Sequence, residues 1–255
     1  MMKLQTLNRF HAFGWHLLIS IAVALLSSSL VFLLWYPGLL ALASGVRDIF
    51  LLLLLVDVTL GPVITLIIFN PQKKELKYDL MIVAAVQLAA LLYGLHTVYV
   101  ARPAYMVFTL DRFDLVYANL ISEKNLDKVT KAEFQSLPLF GPKVVAVRRP
   151  DDIKAQNEIL FGSLSGGDDL PQMPQYYIPY AELKADVIKR TQTLTELKNL
   201  NKDKSSIVDA LVAKYASTKI DVGYLPLKGK AKDLVVIVDR QTGEILEMAD
   251  LAPWR

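Results

Sequence analysis

The chain runs to 255 residues, 53% of them hydrophobic, with 28 basic side chains against 25 acidic ones, three histidines and no cysteine. That length admits one or two domains, and the missing cysteines exclude disulfides, thiolate metal centres and cysteine nucleophiles. Residues 1–102 hold seven of the basic and four of the acidic groups, leaving 21 of each sign beyond, a balance that argues against a nucleic-acid partner.

The hydrophobic excess lies before Arg102. After a polar tail over 1–13, three apolar segments, about 14–36, 46–69 and 79–100, are each long enough to cross a hydrocarbon core, which takes roughly 20 residues. After the first comes an ALA string at 41–43 that resembles a signal cleavage site. The first segment's apolar run exceeds the roughly 7–15 residues of a signal segment, so it reads as a span. Lys3 and Arg9 in the tail and Lys73, Lys74 and Lys77 in the second loop predict that both lie in the cytoplasm. The first loop and everything after Arg102 then lie outside. Trp15, Trp35, Tyr36, Tyr78, Tyr93 and Tyr99 mostly fall near span ends, as interfacial aromatics do.

The second span holds one carboxylate, Asp57, followed by Gly61 and Pro62. An ionisable group at that depth costs at least a few kcal/mol and marks a site with a partner. At 1.5 Å per residue Asp57 lies about 16 Å below one face and Gln87 of the third span about 12 Å above the other. In a core of about 30 Å these depths nearly coincide, so Gln87 is a candidate hydrogen-bond donor to Asp57. Pro62 frees the carbonyl of Val58, and Gly61 lets another helix approach. Two readings stay open here. Asp57 either locks the three helices together or faces a client helix. A proton pathway is a third, which a single carboxylate serves poorly.

Beyond Arg102 the periodicity changes. AYMVFTLDRFDLVYA predicts two strands about Asp111–Arg112, and LISEKNLDKVTKAEFQ predicts an amphipathic helix with Ser122 as N-cap. VVAVRR at 144–149 predicts a strand, and DDIKAQNEILFGSL a helix with acids at its start. SGGDDLPQMPQYYIPY reads as an exposed loop, and a long helix is expected from Tyr180 to Leu200. Ser205 or Ser206 would cap the next helix, and KDLVVIVDRQTGEILEM closes the chain as two strands joined by DRQTG. The expected fold class is an α-helical membrane anchor with three transmembrane helices (14–102) followed by a soluble α+β domain (103–255) with an antiparallel sheet.

The outer domain contains no histidine, which removes Ser-His and Cys-His catalysis and histidine-based zinc sites there. Asp151–Asp152 suits a helix start, and Asp168–Asp169 follows SGG in a solvated loop. GSLSGGDD lacks the Lys-Ser/Thr ending of a phosphate loop. No enzyme, metal or cofactor is expected. Tyr176, Tyr177 and Tyr180, among prolines, are candidates for a contact surface, with core or loop packing as the alternative.

The strings RFHAFGWHL, FLLWYPG, VDVTLGPVITLIIF, YDLMIVAAVQLAALLYGLHTVYVARPAY and PLKGKAKDLVVIVDRQTGEIL, with a terminal PW, resemble the type IV pilin accessory proteins of the TfpX/TfpZ type. The resemblance implies a protein of the bacterial inner membrane with a periplasmic domain, one that helps its cognate major pilin reach surface assembly. It implies pilin as partner, with other pilus-assembly membrane proteins as further candidates and the lipid bilayer around the spans. Asp57, Gly61, Pro62 and Gln87 then become candidates for contact with the pilin's hydrophobic helix. The competing expectation is a membrane-anchored, sensor-like protein whose periplasmic domain binds a ligand and acts through a separate output partner.

Overall fold

The computed structural model describes residues 8–254. The expected tail over 1–13 therefore falls partly outside the described residues. The chain divides into two compact units, one of helices (up to Leu34, and Val46–Val100) and one built on a sheet (Trp35–Gly45, and Ala101 onward).

Three helices make the first unit: α1 (Arg9–Ser29), α3 (Val46–Ile68) and α4 (Leu76–Val100). α1 is capped by Asn8, whose side chain accepts the His11 N–H at 2.9 Å, so the helix begins five residues before the predicted span. A π-helical turn over Leu30–Trp35 continues it. Each of the three helical stretches is long and apolar enough to cross a membrane. α3 packs against both α1 and α4. Its buried side carries Phe50, Gly61, Pro62 and Thr65, with Phe50 edge-on to Phe32 at 5.6 Å between centroids. The outward faces are leucine, isoleucine and valine, as a lipid-facing surface would be.

The second unit contains α2 (Leu40–Ser44) and eight strands: β1 (Pro103–Phe108), β2 (Phe113–Tyr117), β3 (Lys143–Val147), β4 (Tyr177–Pro179), β5 (Gln192–Thr193), β6 (Val222–Lys228), β7 (Leu234–Asp239) and β8 (Ile245–Ala249). The order is β4-β3-β1-β2-β6-β7-β8, with β5 also paired to β6. β1 runs parallel to β3, and β2 parallel to β6, so the sheet is mixed. This corrects the expectation of a purely antiparallel sheet: hairpins join β1 to β2, β6 to β7 and β7 to β8, but the long connection after β2, over 118–142, returns the chain to the far side of β1, where β3 pairs parallel to it.

Helices α5 (Glu123–Leu126), α7 (Lys184–Arg190), α8 (Leu194–Leu200) and α9 (Ser205–Thr218) pack against the sheet, and α6 (Ile153–Leu164) contributes no buried residue. Alternating residues split the core by face. Met106, Phe108, Leu225 and Val236 point into one cluster, while Tyr105, Val107 and Val145 enter a second and Tyr224, Val235 and Ile237 a third under α8 and α9. Because both faces are covered, β1 is buried along its whole length.

Several helix expectations need correction. The helix from Ser122 stops after Leu126. Ser122 makes no side-chain cap, and its hydroxyl donates to Asp168 at 3.0 Å. The helix over 180–200 is broken at β5, where Thr193 and Glu196 form a capping box that starts α8 afresh. Ser205 is the first helical residue of α9, and neither it nor Ser206 caps. The loop before Tyr180 ends in the edge strand β4. Asp152 does start α6, accepting the N–H groups of Lys154 and Ala155.

Candidate functional site

Inside the helical unit a single chain of hydrogen bonds joins all three helices. The Thr65 hydroxyl on α3 lies 2.6 Å from Nδ1 of His16 on α1, and His16 Nε2 lies 2.8 Å from Oε1 of Gln87 on α4. Gln87 Nε2 then donates to the backbone carbonyl of Asp57 at 2.8 Å. Donors and acceptors match throughout when His16 carries its hydrogen on Nε2, since Gln87 Oε1 only accepts and Thr65 can donate to the bare Nδ1. Away from water such a chain holds helices together because each group would otherwise go unpaired.

Gln87 lies beside Asp57, at the depth their positions in the sequence predict, but the contact differs from the expected one. Gln87 bonds the main-chain carbonyl, and Oδ2 of the Asp57 carboxylate is buried with no hydrogen-bond partner among the described residues. A Cβ at Gly61 would fall 2.1 Å from Gln87 Oε1, so the missing side chain makes room for the Gln87 side chain of this chain's own α4. Pro62 is buried beside it. Thr59 is exposed and its hydroxyl returns to the Leu55 carbonyl at 2.7 Å.

Next to these groups lies a cavity of about 190 Å³ among the three helices. Asp57, His16, Gln87 and Ser20 supply its polar lining, and the remainder is aliphatic. Thr65, His16 and Gln87 each have a hydrogen-bond partner in this chain, while Oδ2 of Asp57 at the cavity wall has none among the described residues. Chemically the site can take one hydrogen-bond donor or cation on an otherwise apolar group. Sequence reasoning missed His16, and a signal was present: an ionisable ring within an apolar run points to a polar interior as surely as Asp57 does.

In the sheet unit Tyr177 is a core residue, and Tyr176 and Tyr180 are half-buried against the core. Tyr177 is 1% exposed, edge-on to Tyr105 and Phe134, and its hydroxyl donates to the Pro171 carbonyl. Tyr180 stacks near Phe113 and donates to the Gly243 carbonyl at 2.7 Å, and Tyr176 packs against the second core cluster. Burial raises the phenol pKa values of Tyr177 and Tyr180, in keeping with packing residues. Their flanking prolines make the short turns that lead into β4.

Asp168 accepts from Ser122 and Asn125, and Asp169 caps the short turn over Leu170–Gln172, so both acids hold a loop in place. A second cavity of about 460 Å³ lies between the β1–β2 turn and α6, with Arg112, Arg149 and Arg190 on its rim. No residue of α6 is buried, and Ile153, Phe161 and Leu164 on it are exposed. Among the described residues no group of three or more His, Asp or Glu is placed to hold a metal ion.

Three helices long and apolar enough to cross a membrane, joined by a polar seam and followed by a mixed-sheet unit, are compatible with a membrane-anchored protein. The family described as "Fimbrial assembly protein FimB" matches residues 5–38. The chain is 31% identical to a fimbrial assembly protein of serogroup I from Dichelobacter nodosus, over 89% of each chain, and 30% identical to its serogroup E1 counterpart over the same shares. A third relative from that organism, of serogroups C1 and C2, is 41% identical over 38% of this chain and 76% of its own length. This chain belongs to the fimbrial assembly protein family. No solved structure matches it.

Proposed function

We propose that this protein is an inner-membrane accessory factor of type IV pilus assembly, of the TfpX/TfpZ type, that binds its cognate major pilin through the membrane helices and the sheet unit. The observation that carries the proposal is the unpaired Asp57 carboxylate oxygen beside an apolar cavity, next to the hydrogen-bonded chain of Thr65, His16 and Gln87. A carboxylate needed only for packing would be spent on the packing. Asp57 is instead held available, and a hydrogen-bond donor on a transmembrane pilin helix would complete it. Kinship with fimbrial assembly proteins supplies the process.

The N-terminus is cytoplasmic in this account and the sheet unit periplasmic. Two observations support that topology: the lysines of the second loop, and the packing of residues 35–45 in one core with the strands after Ala101, since segments sharing a core lie on one side of a bilayer. The role is non-enzymatic and needs no cofactor. With Tyr177 buried and Tyr176 and Tyr180 half-buried in core packing, the sheet unit meets a partner through the exposed apolar residues of α6. Photo-crosslinking from Ile19, Val23 and Leu88 around the cavity, with pilin co-expressed, tests the proposal. Adducts to the pilin helix are expected, and adducts to this chain alone would reject it.

A sensor-like role is the second reading, and the cavity beside α6 favours it. A small molecule that raises the melting temperature of the full-length chain by several degrees would support that role.

A further inference from the structure

Within the sheet unit, α6 stands over a gap. The cavity of about 460 Å³ beside it is lined by Phe108 and Val147, both buried, and by the half-buried Leu170 and Leu183. From α6 come Gln156, Ile159, Leu160 and Ser163, the i, i+3, i+4 and i+7 positions of one helical face. That face shares the cavity with strand residues, yet no residue of α6 is buried, and Leu160 remains 54% exposed. The helix is held from its ends instead. Asp152 caps its start, Gln156 Nε2 donates to the Pro150 carbonyl at 2.8 Å, and the Gly167 N–H returns to the Gly162 carbonyl at 2.9 Å. An amphipathic helix ordinarily turns its apolar side to a core. Here that side borders an opening within the range of ligand sites, about 300–1,000 Å³.

The charges around the opening say what would fill it. Arg112 is paired with Asp114 at 3.2 Å, and Asp169 accepts the Leu170 N–H at 2.8 Å. Arg149, Arg190, Asp111 and Asp186 also line the cavity, and none of the four has a hydrogen bond or an ion pair among the described residues. Two free charges of each sign suit neither a polyanion nor a polycation, and an aliphatic acid would match one sign alone. A stretch of polypeptide matches both. Its main-chain N–H and C=O groups also suit the amide of Asn157 and the hydroxyl of Thr109 on the wall.

We propose that this cavity binds a short segment of a partner polypeptide in which apolar side chains lie between an acidic and a basic one. The acid meets Arg149 or Arg190, the base meets Asp111 or Asp186, and the apolar side chains fill the space between Phe108 and Leu160. This rests on the reading that the sheet unit takes a protein partner at α6, and adds that the partner enters beneath the helix as well as against its outer side.

The test titrates the full-length protein in detergent with two fluorescein-labelled pentapeptides that share a Leu-Phe-Leu core. One carries glutamate before the core and lysine after it, and the other the reverse. Fluorescence anisotropy should show saturable binding of at least one. The double variant Arg149→Ala/Arg190→Ala should weaken it by about fivefold or more, through loss of charge-assisted hydrogen bonds. Leu160→Ser should weaken it by about threefold, through lost apolar contact. The substituted side chains are exposed, so the melting temperature should stay at the parent value. No binding of either peptide overturns the proposal, as does equal binding by the arginine variant or equal binding of a pentapeptide with lysine at both ends. So does a melting temperature raised by octanoate when neither peptide binds, which would mark a small-molecule site. Phe161 is exposed and does not line the cavity, so a photo-crosslinker there separates this proposal from the reading beneath it. Adducts to co-expressed pilin without peptide binding overturn only the segment under α6, whereas no adducts and no binding remove both.

Discussion

The two units of this protein solve opposite packing problems. The sheet unit hides valine, leucine and tyrosine on both faces of its strands and leaves lysine and glutamate outside. The helical unit turns leucine and isoleucine outward and keeps Thr65, Ser27 and the His16–Gln87 pair inward. The difference teaches that the buried side of an element is set by its surroundings. In water burial of apolar area drives assembly, whereas between helices in lipid that drive is absent and close packing with hydrogen bonds replaces it. Asp57 stands out against that background because it is interior and yet unspent.

Substitutions should separate the two regimes. The largest loss is expected from Phe134→Ala, which empties a fully buried site against Tyr177 and should cost about 3–5 kcal/mol. Chemical denaturation of the full-length protein should show this loss in the sheet transition and leave helix association unchanged. Gly61→Ala should cost about 1–3 kcal/mol in the helical unit alone, because the new methyl evicts the Gln87 side chain. Combining it with Gln87→Ala should give markedly less than the sum of the two, and an additive pair would show that the helices do not meet there. Gln87→Leu by itself should weaken association by about 0.6–2 kcal/mol, read as dissociation in detergent titrations.

A smaller effect concerns pH. Burial, with the Glu133 carboxylate adding to it, raises the Tyr105 phenol from its ordinary 10.0 to about 12. The folded state thus favours the neutral phenol. Its contribution is complete below pH 10 and is lost as the pH rises through about 12. Tyr105→Phe should cost about 0.5–1.5 kcal/mol at neutral pH, for the lost bond to the Ser136 carbonyl, yet make alkaline unfolding less steep.

Sequence periodicity revealed the helices and the hairpins because each is written in a local pattern. The β1–β2 pair and the β7–β8 pair follow from alternation around a turn, and α6 from its Asp152 start. The elements it missed are those whose logic is distant. β6 contains Pro226, which argues against a central strand. The proline is tolerated because it falls between the β5 pairing at Gly223 and Tyr224 and the β2 pairing at Leu227 and Lys228, where only β7 lies alongside. The break between α7 and α8 was legible in the Thr193–Glu196 box, which the longer hydrophobic pattern concealed. At the candidate site, depth alone aligned Gln87 with Asp57. The choice of the main-chain carbonyl over the carboxylate, and the third partner His16, depend on side-chain geometry that depth does not carry.

The most direct test of the account replaces Asp57 with leucine in a cell that carries the cognate pilin, measuring surface pili and the amount of this protein together. The account predicts that the protein persists at its normal level, because no internal bond to the carboxylate oxygen Oδ2 is lost, while surface pili fall sharply. Undiminished pili, or joint loss of pili and protein, would contradict it.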